Sequence, residues 1–282
     1  MRILVTGANG QLGYDVVKQL EKRQIECKGV DIADFDLTVE DAVIEYIENY
    51  KPSVVVHCAA YTAVDRSEED KETCYSVNVI GTENVAKACK IVSSKMMYIS
   101  TDYVFSGEGC IPFEVDSRKA PKGQYGLTKS LGEDIVINIL NKYFIVRTAW
   151  VFGINGNNFV KTMLRLGKEK DEMSVISDQI GSPTYTNDLA ILLCDMLQTD
   201  KYGIYHATNE GFCSWFDFAS TIMVEAKLSA KINPITSDRY PAIAVRPLNS
   251  RLSKKSLDKA GFARLPDWQD ALKRFLIEYL LS

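Results

Sequence analysis

Ile3-Leu4-Val5-Thr6-Gly7-Ala8-Asn9-Gly10-Gln11-Leu12-Gly13 stands almost at the start of the chain and predicts its fold. A short apolar strand runs into a turn with glycine at every third position, and an amphipathic helix follows. Glycines at this point permit a tight turn and bring the backbone close to a pyrophosphate at the positive N-terminus of the helix. The stretch therefore predicts a dinucleotide-binding βαβ unit.

A second predicted strand, residues 26–30, ends at Asp31, eighteen residues after Gly13. An acid at this point accepts hydrogen bonds from the adenosine ribose of a dinucleotide. The alternative is a structural glycine turn followed by an ordinary loop aspartate. The order strand, turn, helix, strand and acid favours the dinucleotide. Because the next arginine is Arg66, Asp31 should repel a 2′-phosphate, and we expect NADH to be accepted at least as well as NADPH.

Strands and helices alternate through the first half of the chain, which predicts an α/β fold with a doubly wound (Rossmann) parallel sheet. Apolar strand runs such as Val54-Val55-Val56 fit a sheet covered on both faces. The pattern also predicts one long helix over residues 69–92 and helix caps at Thr38 and Ser214. After Trp150 the rhythm loosens. We therefore expect a dinucleotide-binding domain over residues 1–150, with some later segments returning to it, and a smaller substrate-binding domain over residues 151–282.

The chemistry is predicted between Tyr98 and Lys129. Thr101 and Asp102 follow a buried strand, and a helix then carries Tyr125 and Lys129. Residues four apart share a helix face, so a phenol and an ammonium can meet a hydroxyl at one proton-transfer site. The alternative is a solvated helix face and a polar turn after the strand. The dinucleotide turn upstream favours the proton-transfer site.

Composition excludes several other classes of protein. The formal charge is −4 and no long basic run occurs, which argues against a nucleic-acid partner. The seven cysteines form no C-x-x-C pair, and only His57 and His206 could join them, so no metal site is predicted. Free cysteines favour a reducing, cytoplasmic compartment. The sequence shows neither a signal peptide nor a membrane-spanning run, so no membrane partner is expected.

The glycine spacing and the Tyr-x-x-x-Lys pair together resemble the extended short-chain dehydrogenase/reductase family. Within it, the chain resembles the dTDP-4-dehydrorhamnose reductases. The resemblance rests on segments spread over almost the whole chain: residues 6–13, 59–65, 100–105, 125–129, 147–151 and 246–252. It implies the reduction by NADH or NADPH of the 4-keto group of dTDP-4-dehydro-L-rhamnose, a dTDP-4-keto-6-deoxy sugar, to dTDP-L-rhamnose.

The resemblance also implies roles for individual residues. The catalytic set would be Thr101, Tyr125 and Lys129. The cofactor would contact Gly7, Gly10, Gln11, Leu12, Gly13, Asp31, Asp36, Leu37, Ala59, Ala60, Tyr61 and Thr62, together with Tyr125 and Lys129. The sugar nucleotide would contact Thr101, Asp102 and Trp150, and further contacts are expected from Val64, Asp65, Arg246 and Asn249. Some relatives are described as magnesium-dependent dimers, which makes a homodimer one expectation, but no carboxylate cluster for a metal is visible.

Residue types indicate the roles within the catalytic set. Tyr125 would protonate the developing alkoxide, Lys129 would lower the pKa of Tyr125 and bind the nicotinamide ribose, and Thr101 would bind the oxyanion. Two rival interpretations stay open. One is a sugar-nucleotide epimerase or 4,6-dehydratase of the same fold, although Tyr103 stands where related dehydratases carry a glutamate. The other is a non-catalytic regulatory subunit resembling the methionine adenosyltransferase β subunit.

Overall fold

A six-stranded, wholly parallel sheet organises the protein in the computed structural model, which describes residues 1–281. Its strands lie in the order β10-β5-β4-β3-β1-β2. They are β1 (Ile3–Thr6), β2 (Cys27–Val30), β3 (Val54–His57), β4 (Lys95–Thr101), β5 (Tyr143–Thr148) and β10 (Gly203–His206). The predicted doubly wound sheet is confirmed.

Helices cover both faces of this sheet. They are α1 (Gln11–Lys22), α2 (Glu40–Tyr50), α3 (Val64–Glu69), α4 (Lys71–Tyr75), α5 (Gly81–Ile91), α6 (Gln124–Ile139) and α8 (Thr186–Leu197). One hydrophobic cluster joins α1 and α8 to the sheet, and another joins α2, α5 and α6 to its opposite face. Covering both faces explains why the strands are apolar along their whole length.

The strand register places the functional residues. Thr6 at the end of β1 pairs with His57 at the end of β3, and Thr101 at the end of β4 pairs with Thr148 of β5. Parallel strands that end together open a crevice at their carboxyl edge, where ligands of such sheets bind.

The remaining short strands and helices build a second part of the protein, except that Leu257 of α10 (Lys255–Ala260) packs in the same cluster as α1, α8 and the large sheet. They are the short strands β6 (Val151–Phe152), β7 (Glu172–Ile176), β8 (Ile180–Gly181), β9 (Thr184–Tyr185), β11 (Cys213–Ser214) and β12 (Lys231–Ile235), and helices α7 (Phe159–Glu169), α9 (Trp215–Glu225), α10 (Lys255–Ala260) and α11 (Trp268–Leu281). A separate aromatic-rich core holds much of this second part together. The predicted division at residue 150 stays a prediction.

The long helix predicted over residues 69–92 is present as a run of helical segments. It starts after Asp70, whose carboxylate accepts from the Thr73 amide, passes through a π-helical turn at Ser76–Ile80 and ends at Ile91. The cap predicted at Thr38 was wrong. Thr38 does not cap α2, because its amide and hydroxyl both donate to Asp36. The cap predicted at Ser214 is confirmed as a reciprocal capping box at the start of α9.

Candidate active site

A cleft of about 670 Å³ lies at the carboxyl edge of the large sheet. Most of the residues predicted to contact the cofactor line it: Gly7, Gly10, Gln11, Leu12, Gly13, Asp31, Asp36, Leu37, Ala59, Ala60 and Thr62. The predicted catalytic set and three predicted substrate residues line it too: Thr101, Tyr125 and Lys129, with Asp102, Val64 and Trp150. The fold thus brings two widely separated sequence motifs into one cavity of the size typical of ligand sites.

The glycine turn is set by close backbone contacts. Gly7 has φ +69°, and a Cβ there would lie 2.6 Å from the Ala59 amide nitrogen. A Cβ on Gly13 would lie 2.1 Å from the Gly7 carbonyl oxygen. Gly10 is less crowded, because a Cβ there would lie 3.2 Å from the Gly7 carbonyl oxygen. Gly10 directly precedes α1, and no side chain caps the N-terminus of this helix. The uncapped N-terminus of α1 therefore faces the cleft, as an anion site requires.

Asp31, directly after β2, is hydrogen-bonded to the glycine turn. One carboxylate oxygen accepts from the amide of Asn9 at 3.0 Å and the other from the amide of Ile32 at 2.9 Å. These bonds fix the carboxylate at the end of β2, where the ribose of a dinucleotide would lie.

The predicted catalytic residues come from two elements, β4 and α6. Thr101 ends β4, and its hydroxyl donates to Asp102 Oδ1 at 3.0 Å. Tyr125 and Lys129 share one face of α6, and Lys129 Nζ lies 4.0 Å from the centre of the Tyr98 ring. Gly126 allows α6 to approach the 3-10 turn Asp102–Val104 after β4, because a Cβ there would lie 2.2 Å from the Tyr103 carbonyl oxygen.

Burial controls the ionisation of this group. It lowers the pKa of Lys129 to about 7, against the opposing charge of Glu133. It raises the pKa of Tyr125 above the ordinary value, while a hydrogen bond with Thr101 lowers it. We expected Lys129 to lower the pKa of Tyr125, but desolvation of the phenol has the larger effect and raises it. The reason is that Lys129 is itself desolvated and stands over Tyr98.

Asp102, next to Thr101, and Trp150 are the predicted substrate residues with unusual features. Burial raises the pKa of Asp102 to about 6, and its Oδ2 atom has no hydrogen-bond partner among the described residues. Trp150 has φ +51°, a left-handed conformation that is unusual for a large side chain. Its ring stacks on Trp215 with centroids 3.7 Å apart, which holds the indole against the cleft.

Four predicted residues lie outside the cleft lining. Tyr61 is held through its backbone amide and carbonyl by Asn78. The side-chain amide of Asn249 donates to the carbonyls of Ile111 and Glu108, so this side chain fixes a loop. Asp65 and Arg246 form an ion pair at 2.5 Å beside the cleft.

The structure adds positioning residues that sequence reasoning missed. Asn78, in the π-helical turn, also donates to Thr128 on α6. Asn155 donates to the Asn9 carbonyl at 2.7 Å, and Asn158 donates to the Gln11 side chain at 3.1 Å. The run of asparagines and glycines after β6 was visible as a loop, but nothing in it indicated contact with the glycine turn.

A buried ion pair between Glu133 and Arg147 links α6 to β5, and sequence reasoning did not predict it. Arg147 on β5 donates to both oxygens of Glu133 at 2.8 Å, and Ser100 donates to the same carboxylate at 2.6 Å. Burial alone would raise the pKa of Glu133, but Arg147 outweighs it and holds the pKa below its usual range. Glu133 is therefore a fixed negative charge one turn after Lys129.

Within residues 1–281, no group of three or more His, Cys, Asp or Glu side chains is arranged to hold a metal ion. Over the same residues, no helix is both long and apolar enough to cross a membrane.

Comparison with known proteins agrees with this geometry. A dTDP-4-dehydrorhamnose reductase of Aggregatibacter actinomycetemcomitans is 41% identical, covering 96% of this chain and 97% of the relative. The spore coat polysaccharide biosynthesis protein SpsK of Bacillus subtilis is 39% identical, covering 98% and 97%. The crystal structure of a dTDP-4-dehydrorhamnose reductase from Bacillus anthracis in complex with NADP superposes with a TM-score of 0.96 at 42% identity, covering 98% of this chain and 99% of that one. The family described as the RmlD substrate binding domain matches residues 1–281, and the chain belongs to this family.

Proposed function

We propose that the protein reduces the 4-keto group of dTDP-4-dehydro-L-rhamnose to give dTDP-L-rhamnose, with NADH or NADPH as reductant. The observation that carries this function is the convergence of Thr101, Tyr125 and Lys129 on the cleft that also holds the glycine turn and Asp31. Relatives named dTDP-4-dehydrorhamnose reductase match nearly the whole chain. The proposed substrate class is therefore supported by similarity over the whole length of the protein and not by one shared domain.

The residues present fit a dinucleotide. The uncapped N-terminus of α1 suits the pyrophosphate, Asp31 suits the adenosine ribose, and Lys129 suits the nicotinamide ribose. When bound, the reduced nicotinamide supplies the hydride that attacks the carbonyl carbon. The chain itself orients the reactants and handles the proton.

Tyr125 is the proposed proton donor. Its raised pKa keeps the phenol protonated at neutral pH, so a proton is present when the carbonyl oxygen gains charge. The hydroxyl of Thr101 donates to Asp102 Oδ1 in this structure, and we propose that it turns to donate to the same carbonyl oxygen when substrate binds. The phenolate left behind requires a nearby cation, and Lys129 is the proposed one.

The charge of Lys129 then depends on pH. With a pKa of about 7, Lys129 is protonated below neutral pH and loses its proton above it. Activity that needs the cation should therefore fall as pH rises through this value.

The sugar end of the cleft is proposed to use three groups. The unpartnered Oδ2 atom of Asp102 can accept from a sugar hydroxyl, and the stacked indole of Trp150 provides an apolar wall. Arg246 is proposed to pair with the diphosphate, since guanidinium groups bind phosphates with paired hydrogen bonds. Val64 lies beside them in the cleft lining.

Mixing the purified protein with reduced cofactor and dTDP-4-dehydro-L-rhamnose tests the proposal. We expect loss of nicotinamide absorbance at 1:1 stoichiometry with sugar reduced. Substrate conversion with a flat absorbance trace would indicate internal cofactor recycling, as in an epimerase. No conversion and no cofactor consumption would instead favour the non-catalytic subunit.

Two further parts of the proposal concern the setting. All seven cysteines are free, which supports a reducing, cytoplasmic compartment. The homodimer stays a prediction, and light scattering on the purified protein would test it.

A further inference from the structure

A loop of seven residues, 241–247, lies beside the part of the cleft proposed to bind the sugar nucleotide, and it makes few hydrogen bonds to the rest of the protein. It exposes Ile243 and Val245, so it gains little from burial in a core. Among the residues that the structure describes, the loop makes two hydrogen bonds to the rest of the protein, and both go to Asp65. The Ala244 amide donates to Asp65 Oδ1 at 3.1 Å, and Arg246 donates to Oδ2 at 2.5 Å.

Asp65 lies next to the cleft but does not line it. It lies in the first turn of α3, directly after Val64, which lines the cavity. Tyr103 also lines the cavity and meets Tyr125 edge to face at a ring distance of 5.5 Å. The charges of Asp65 and Arg246 both affect the pKa of Tyr103. The ion pair therefore lies close to Tyr103, which in turn contacts Tyr125.

The pair is incomplete on the arginine side. Arg246 Nε is buried and has no hydrogen-bond partner among residues 1–281. A guanidinium with one N–H bonded to a carboxylate and another N–H unpaired can donate a hydrogen bond to a phosphate oxygen. Asp65 itself is a poor ligand for a diphosphate, because it carries the same sign of charge and both of its oxygens are engaged.

We infer that Asp65 is a positioning residue that ties the 241–247 loop to α3 and thereby presents Arg246 to the diphosphate of the sugar nucleotide. This inference rests on the proposed function for the identity of the ligand. It replaces the expectation that Asp65 contacts the substrate directly. Asp65 acts on binding and not on the proton transfer at Tyr125.

Asp65→Ala tests the inference through KM and kcat separately. We expect KM for the sugar nucleotide to rise about tenfold, the scale of a lost charge-assisted contact, with kcat changed by less than about twofold. Hydrogen exchange of the 241–247 peptide should become faster, because the Ala244 amide loses its acceptor. Glu69→Ala is the matched control: it removes an exposed acid from the same helix that has no contact with the loop, and should change neither quantity.

A double-mutant cycle separates positioning from direct contact. If Asp65 acts through Arg246, then Asp65→Ala has no further effect on KM in an Arg246→Ala background. If Asp65 contacts the substrate itself, the two effects multiply, and the inference is overturned. An unchanged KM in Asp65→Ala also overturns it.

Thymidine diphosphate binding, measured by calorimetry, keeps this test apart from the test of the activity. Weaker binding to Asp65→Ala, with Glu69→Ala unchanged, supports the loop tether even if no keto sugar is reduced. Equal binding to wild type and Asp65→Ala refutes the tether while leaving the reductase activity untouched.

Discussion

Glu133→Gln should reveal how far the buried charges next to α6 support both the fold and the ionisation of Lys129, the proposed catalytic cation. The Glu133 side chain is 0% exposed and that of Arg147 is 2% exposed. The substitution keeps the shape of the side chain and one acceptor oxygen. It removes the negative charge and leaves the Arg147 guanidinium buried without a counter-ion.

Breaking a buried ion pair from one side costs about 3–5 kcal/mol, because the remaining charge stays desolvated. The amide oxygen can keep one of the two Arg147 bonds, which favours the lower end, about 3 kcal/mol. For a chain of this size, that free energy corresponds to a Tm lower by roughly 6–12 °C. Urea denaturation and thermal melts measure both quantities.

The same substitution should change the pH profile. The charge of Glu133 raises the pKa of Lys129 against the effect of burial. Without that charge, Lys129 loses its proton at lower pH. The fall in kcat/KM, expected near pH 7 in the wild type, should therefore move to lower pH, since kcat/KM reports ionisation of the free enzyme.

Glu169→Gln provides the control. It neutralises the exposed Arg165–Glu169 pair, in which the side chains are 61% and 51% exposed. Such pairs contribute about 0–1 kcal/mol, so stability should hardly change. A Glu133→Gln protein within about 1 kcal/mol of wild type, or with an unmoved pH profile, would refute the reasoning.

Further predictions concern single groups in the cleft. Tyr125→Phe should lower kcat by about a hundredfold or more with cofactor binding nearly intact, and near-normal turnover would remove Tyr125 as the proton donor. Lys129→Ala should lower kcat and weaken cofactor binding together, which steady-state kinetics and fluorescence titration would show. Asp31→Asn should shift the kcat/KM ratio toward NADPH, and a wild type that already strongly prefers NADPH would contradict the expected repulsion. Asn155→Ala should raise the cofactor Kd with kcat little changed, because it frees the Asn9 carbonyl at the tip of the glycine turn; an unchanged Kd would contradict this role.

The sequence by itself determined the large sheet, and it placed the predicted catalytic residues Tyr125 and Lys129 on one helix. Strand–turn–helix units are local, and the crowding at Gly13 involves only Gly7 and Ala8 of the same turn. Four-residue spacing fixes Tyr125 and Lys129 on one face of α6 whatever surrounds it. These features follow from short-range geometry and hydrophobic periodicity.

Tertiary structure alone decided what surrounds those residues. Asn155 contacts Asn9 across a separation of 146 residues, and Asp65 contacts Arg246 across 181 residues. No local pattern encodes such pairings, because each partner is an ordinary polar loop residue until folding brings the two together. The ionisation of Lys129 belongs here too: the residue type gives an ordinary amine, and only burial in the cleft lowers its pKa to about 7.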